Sequence, residues 1–122
     1  MPLIIKQKCI VRSILKMNYC APSSPLFLQL QMLNIEQIYK LRIGILMHKT
    51  QSGTINIPCR LTKTSEVHSY NTRSTAYNSF YVPKARINLT KESLIYSGPK
   101  IWNNIPPEIR SLPFLPFKKK FK

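Results

Sequence analysis

Two-metal transfer of a phosphoryl or nucleotidyl group needs carboxylates held close together around the ions. The chain has few to offer. Among its 122 residues there is no aspartate, and its four glutamates, Glu36, Glu66, Glu92 and Glu108, stand far apart. A polymerase-type carboxylate cluster cannot be assembled from them. Cys9, Cys20 and Cys59 form no CxxC pair and have no histidine at zinc-ligand spacing, so no structural zinc is expected. His48 and His68 stand alone in the sequence, and each reads as a structural or surface histidine. There is no GxSxG elbow and no phosphate-cradling P-loop. These residues point away from catalysis, and no catalytic residue, metal, cofactor or small-molecule substrate is expected.

What the chain has in quantity is positive charge. Nineteen Lys+Arg against four acids give a formal net charge of +15. Self-repulsion of that size opposes compaction and draws a polyanion. RNA or DNA, bound without sequence preference, is the expected partner, although an anionic membrane surface or simple disorder would carry the same charge. Lys8, Arg12 and Lys16 are spaced to stack on one helix face. Their mutual repulsion costs a few tenths of a kcal/mol per pair, about what the i,i+4 rule gives, and a phosphate would reverse it. A solvated face fits equally well. In the middle of the chain, Arg73, Lys84 and Arg86 interleave with Tyr70, Tyr77, Phe80 and Tyr81. That mixture suits single strands, whose bases stack while their phosphates pair, with Tyr81 as the stacking candidate. The alternative is that these aromatics are the only packing anchors the segment has. Lys118, Lys119 and Lys120 form a third basic group.

The elements that would hold these groups are mainly helical. Leu3, Ile4, Ile10, Val11, Ile14 and Leu15 recur at helical steps and predict a helix over 3–19. The same stretch is basic and acid-free, as an organelle presequence is. Lys6, Lys8, Arg12 and Lys16 interrupt any signal-peptide core, and no apolar run approaches the ~18 residues of a membrane span. An amphipathic helix within a larger parent is therefore expected, with no membrane partner. Ser24-Pro25 reads as the start of a short second helix carrying Leu26, Leu30 and Leu33 on one side. Asn34 with Gln37 is a capping box opening a third helix to about residue 49, with Ile35, Tyr39, Ile43 and Leu46 in one line and Ile38, Leu41 and Ile45 in its neighbour. Gly44 inside that helix implies a close contact, and Gly53 a stop. Residues 51–91 are polar and unperiodic, with brief strand candidates at Ile55/Ile57, at Phe80 to Val82 and at Ile87/Leu89. Beyond them, 92–122 predicts short helices: one starting at Ser97, Gly98 and Pro99, a turn after Pro106 and Pro107, and a basic terminal helix from Phe117. The expected organisation is a helical segment over 1–50, an irregular polar segment over 51–91 and a short-helix tail over 92–122, together an incomplete domain.

One series of short motifs remains: Tyr70-Asn71-Thr72-Arg73, Pro83-Lys84-Ala85-Arg86, the run from Gly98 through Trp102, Asn103 and Asn104 to Pro106, Glu108-Ile109-Arg110, and Phe117 with its three lysines. Trp102, the only tryptophan, reads as a packing anchor, and Asn103 as a cap where its helix ends. In order and spacing the series resembles the C-terminal, post-polymerase region of LINE-type (non-LTR, jockey-like) retrotransposon reverse transcriptases. The resemblance extends forward to Gln7-Lys8-Cys9-Ile10-Val11-Arg12, Ser24-Pro25-Leu26-Phe27 and Ile38-Tyr39-Lys40-Leu41. The family's His-Thr before Pro-Leu-Phe is replaced here by Ser23-Ser24, and its palm catalytic motifs and endonuclease are missing. The resemblance implies a non-catalytic fragment lying next to RNA template or DNA target in its parent. A freestanding basic nucleic-acid-binding protein and an inert translated relic remain open beside it. An odd, scattered set of cysteines fits a reducing, intracellular compartment, cytoplasmic or nuclear.

Overall fold

A computed structural model describes residues 2–76 and 78–121, so Tyr77 of the aromatic group lies outside the described residues. The chain is mainly α-helical. Its contacts divide it into two compact units, 1–40 and 41–122.

The first unit contains α1 (Pro2–Ile14), α2 (Ser23–Gln29) and the opening of α3 (Ile35–Gln51). Its core is Val11, Leu26 and Phe27, with Leu15 and Leu30 packed against them. The capping box forms as spaced: Asn34 Oδ1 accepts from Gln37 N at 2.8 Å, and Gln37 Oε1 accepts from Asn34 N at 3.0 Å. Gln7 ties α1 to this corner, donating to the Leu33 carbonyl and accepting from Ile35 N. Two expectations need correction. α2 begins after Pro22, so Ser24-Pro25 lies inside the first turn, where proline still forfeits no intrahelical bond. The α1 stripe is only partly covered: Val11 is buried, but Leu3, Ile10 and Ile14 are exposed.

α1 also stops short of residue 19, for a reason invisible to periodicity. Lys16 adopts φ 52°, Met17 N donates to the Arg12 carbonyl and Lys16 N to that of Ser13. This is a Schellman turn with lysine in the left-handed position. α2 ends the same way on Gln31 (φ 53°), and α3 on Gly53 (φ 74°), where Thr54 N reaches the Lys49 carbonyl. Only the last has the residue that takes positive φ without a Cβ clash. Gln31→Gly is therefore expected to stabilise the end of α2, slowing local amide exchange about two- to fivefold, which corresponds to about 0.5–1 kcal/mol. Faster exchange in the variant would contradict that account of the turn.

The second unit gathers Met47, Phe80, Trp102, Ile105 and Phe117 into one core, flanked by Ile43, Ile45, Leu61, Ile109, Leu112 and Phe121. The buried stripe of α3 is Gly44, Met47 and His48, whereas Ile38 and Tyr39 of the expected lines are exposed. Gly44 makes the predicted close contact. A Cβ there would fall on the edge of the Phe121 ring, with Cζ at 2.7 Å.

The middle of the chain is irregular, with single turns α4 (Thr64–Val67) and α5 (Arg73–Ala76) and the short α6 (Asn88–Glu92). Among the described residues the one β pairing is an isolated antiparallel bridge between Lys63 and Phe80. Ile55/Ile57 forms no strand; a strand needs a ladder partner, and Pro58 removes a donor. Ile87/Leu89 turns into α6 instead, and both side chains stay exposed.

Three helices close the unit: α7 (Leu94–Asn104), α8 (Pro107–Arg110) and α9 (Phe114–Phe121). The start expected at Ser97, Gly98 and Pro99 is corrected to Leu94, which puts Gly98 and Pro99 mid-helix. Pro99 has no N–H for the carbonyl one turn back, yet it is fully buried. Gly98 beside it lets Met47 approach: an added Cβ would lie 2.9 Å from Met47 Sδ. Tertiary packing thus outweighs the local signal. α9 likewise begins at Phe114, ahead of the expected Phe117.

Candidate nucleic-acid interface

The motif run from Gly98 to Arg110 is an architectural device. Trp102 is fully buried, 6.4 Å from Phe80 edge-on and 6.0 Å from Phe117 between ring centroids. Asn103, expected as a helix cap, does something else. Its Oδ1 accepts from Phe80 N at 3.1 Å and its Nδ2 donates to the Phe80 carbonyl at 2.8 Å. The amide takes both backbone groups of Phe80, as a neighbouring strand would. Asn103→Ala leaves these two groups unpaired and is expected to cost about 2 kcal/mol. The check is the urea midpoint followed by Trp102 emission, and an unchanged midpoint would show the clamp to be idle.

Arg110 supplies the cap that Asn103 does not. Its Nε donates to the Ile105 carbonyl at 2.6 Å, and its two terminal nitrogens donate to the Asn103 carbonyl at 2.8 Å and Ser79 Oγ at 3.2 Å. The guanidinium lies 6.0 Å from the Trp102 ring centre. It meets the carbonyl end of α7, where a cation is favoured. Burial pulls its pKa below the usual value. An arginine just beyond a helix end is a cue to such a cap.

His48 is buried and structural. Its Nε2 lies 2.8 Å from the Leu112 carbonyl and its ring stacks on Phe117 at 4.4 Å. The bond requires the tautomer with hydrogen on Nε2. Among the described residues, His48 Nδ1, Gln51 Oε1 and Trp102 Nε1 are buried without a hydrogen-bond partner.

The basic groups are distributed differently from their sequence pattern. The Lys8, Arg12, Lys16 face does not form. Lys16 lies past the end of α1 in its left-handed turn, and Arg12 folds inward, its Nε donating to the Ala21 carbonyl at 2.9 Å with its guanidinium 5.8 Å from the Tyr19 ring centre. Lys8 stays on α1, half-buried. In the second unit, Tyr81, Lys84 and Arg86 follow Phe80 on one non-helical segment and are exposed. Tyr81 N is held by the Thr62 carbonyl at 2.8 Å, and the residue is 37% exposed. Lys118, Lys119 and Lys120 are exposed on α9 while Phe117 anchors that helix in the core. Tyr70, Asn71 and Arg73 are exposed too, and Thr72 and Thr75 bond each other reciprocally to set the turn α5. Tyr70 and Asn71 therefore do not join the core with Gly98, Pro99 and Trp102; Pro106 is exposed and opens α8.

No group of three or more His, Cys, Asp or Glu side chains among the described residues could hold a metal ion. None of the described helices is long and apolar enough to cross a membrane. In comparisons with known proteins, no family model, curated protein or solved structure matches this chain.

Proposed function

We propose that the chain is a non-catalytic, intracellular nucleic-acid-binding module, engaging RNA or DNA through charge and without sequence preference, as its resemblance to the tail of a LINE-type reverse transcriptase implies. One observation carries this reading. A chain of net charge +15 keeps Lys84, Arg86, Lys118, Lys119 and Lys120 exposed, with no ion-pair partner among the described residues. Unpaired cations around a packed core are what a phosphate backbone neutralises.

Tyr81 adds an exposed aromatic ahead of Lys84 and Arg86 on the same segment. Single strands expose base faces and duplexes do not. Tyr81→Ala is thus expected to weaken single-strand binding about tenfold, since stacking contributes about 1–3 kcal/mol per base, and to leave duplex binding nearly unchanged. Fluorescence anisotropy with unrelated 20-mers checks this; equal losses on both forms would remove stacking from the proposal. Primer extension by the purified chain with Mg²⁺ or Mn²⁺ would overturn the non-catalytic part.

A further inference from the structure

The second unit contains an open cleft of about 470 Å³ whose lining includes Arg60, Lys63 and Phe80. Arg60 is exposed and Lys63 half-buried, and neither side chain has an ion pair or hydrogen bond among the described residues. Glu66, the only acid between residues 41 and 91, has no ion pair there either. In sequence, Arg60 and Lys63 stand more than twenty residues before Lys84 and Arg86. The backbone brings the two pairs together. Tyr81 N donates to the Thr62 carbonyl at 2.8 Å, Thr64 N to the Ser79 carbonyl at 2.9 Å, and Lys63 faces Phe80 in the antiparallel bridge. Bridge partners lie about 5 Å apart, and a chain advances at most about 3.5 Å per residue. The Cα atoms of all four cations therefore stand within about 20 Å of the bridge.

Shape decides which nucleic acid such cations favour. Charges that line a concavity are reached by a chain able to bend into it. A single strand can do so, whereas a duplex, stiff over about 50 nm, spans a cleft of this size. The lysines of α9 differ, being exposed on a helix surface that either form can approach. We propose that the phosphodiester backbone of a single strand enters this cleft, with Arg60 and Lys63 as phosphate contacts beyond Lys84 and Arg86, and that the cleft thereby favours single strands over duplex. The inference rests on the nucleic-acid reading above and gives the strand a defined tract. A second copy of the chain, equally positive, is repelled from it. An acidic peptide is the competing occupant, and the test separates the two.

Fluorescence anisotropy of the full-length chain with a single-stranded and a duplex 20-mer at fixed salt provides that test. Arg60→Gln combined with Lys63→Gln is expected to weaken single-strand binding about tenfold, the effect of losing charge-assisted contacts. Duplex binding should fall by less than about twofold. Arg60→Lys combined with Lys63→Arg, which keeps both charges, should stay within about threefold of the parent on both forms. Trp102 emission should stay native in each variant, because neither side chain holds a hydrogen bond in the fold. Reversing Lys118, Lys119 and Lys120 to glutamate should instead weaken both forms. Equal losses on single strand and duplex from the Arg60 and Lys63 glutamine variant, or no loss on either, overturn the cleft and leave the nucleic-acid reading standing. Polyglutamate that displaces the labelled strand as well as an unlabelled strand of equal length makes the cleft an acidic-peptide site, and also overturns the proposal. Absence of parent binding to either 20-mer at 50 mM salt and below overturns both readings.

Discussion

Replacing Trp102 by alanine is expected to cost the second unit about 3–5 kcal/mol, the range for removing a large buried aromatic. The reason lies in its place in the core. The indole is fully buried and touches elements from three parts of the chain: Phe80 from the irregular middle, His48 of α3 and Phe117 of α9, with Arg110 over its face. A unit of this length holds on the order of 4–12 kcal/mol in all, so the loss takes a large share of it. Far-UV circular dichroism during urea unfolding measures the variant. Trp102 emission in the parent chain, expected to be blue-shifted from that of free indole because the ring is buried, provides the control. A variant within about 0.5 kcal/mol of the parent, the range of an ordinary surface change, would show that the core closes without its anchor. So would parent emission typical of an indole in water.

The two units were legible in the sequence to different depths. Where a feature is written in a few adjacent residues, it formed as read: the Asn34 and Gln37 box, the Gly53 stop, the tight place at Gly44. The burial of Trp102 was also legible, because a lone large aromatic in a short helix has few other places to go. The misreadings share a cause. Gly98-Pro99 is a strong local start signal, but both residues are buried, and Met47 of α3 fills the space a side chain at Gly98 would take. The end of α1 depends on lysine in a left-handed conformation, which no pattern marks. The roles of Asn103 and Arg110 depend on partners 23 and 31 residues away, Phe80 and Ser79. No spacing rule reaches that far. Arg12 looked free on a helix face and is instead drawn to the Ala21 carbonyl.

Binding through charge makes a second, larger prediction. If about five phosphates are neutralised, log affinity for a single strand falls against log salt with a slope near −3.5, about a hundredfold between 50 and 200 mM. Lys118, Lys119 and Lys120 stand on a helix whose Phe117 is fixed in the core, so their charges are presented from a defined base. Reversing all three to glutamate should withdraw about three contacts and flatten the slope toward about −1.4. The variant's fold should persist, because none of the three side chains is buried.

The most direct test of nucleic-acid binding is therefore the salt titration itself, by anisotropy of a labelled single-stranded 20-mer with the parent chain and the triple variant side by side. The expected result is a slope near −3.5 for the parent and a clearly shallower one for the variant. A slope indistinguishable from zero, or no binding at 50 mM salt and below, would contradict the account.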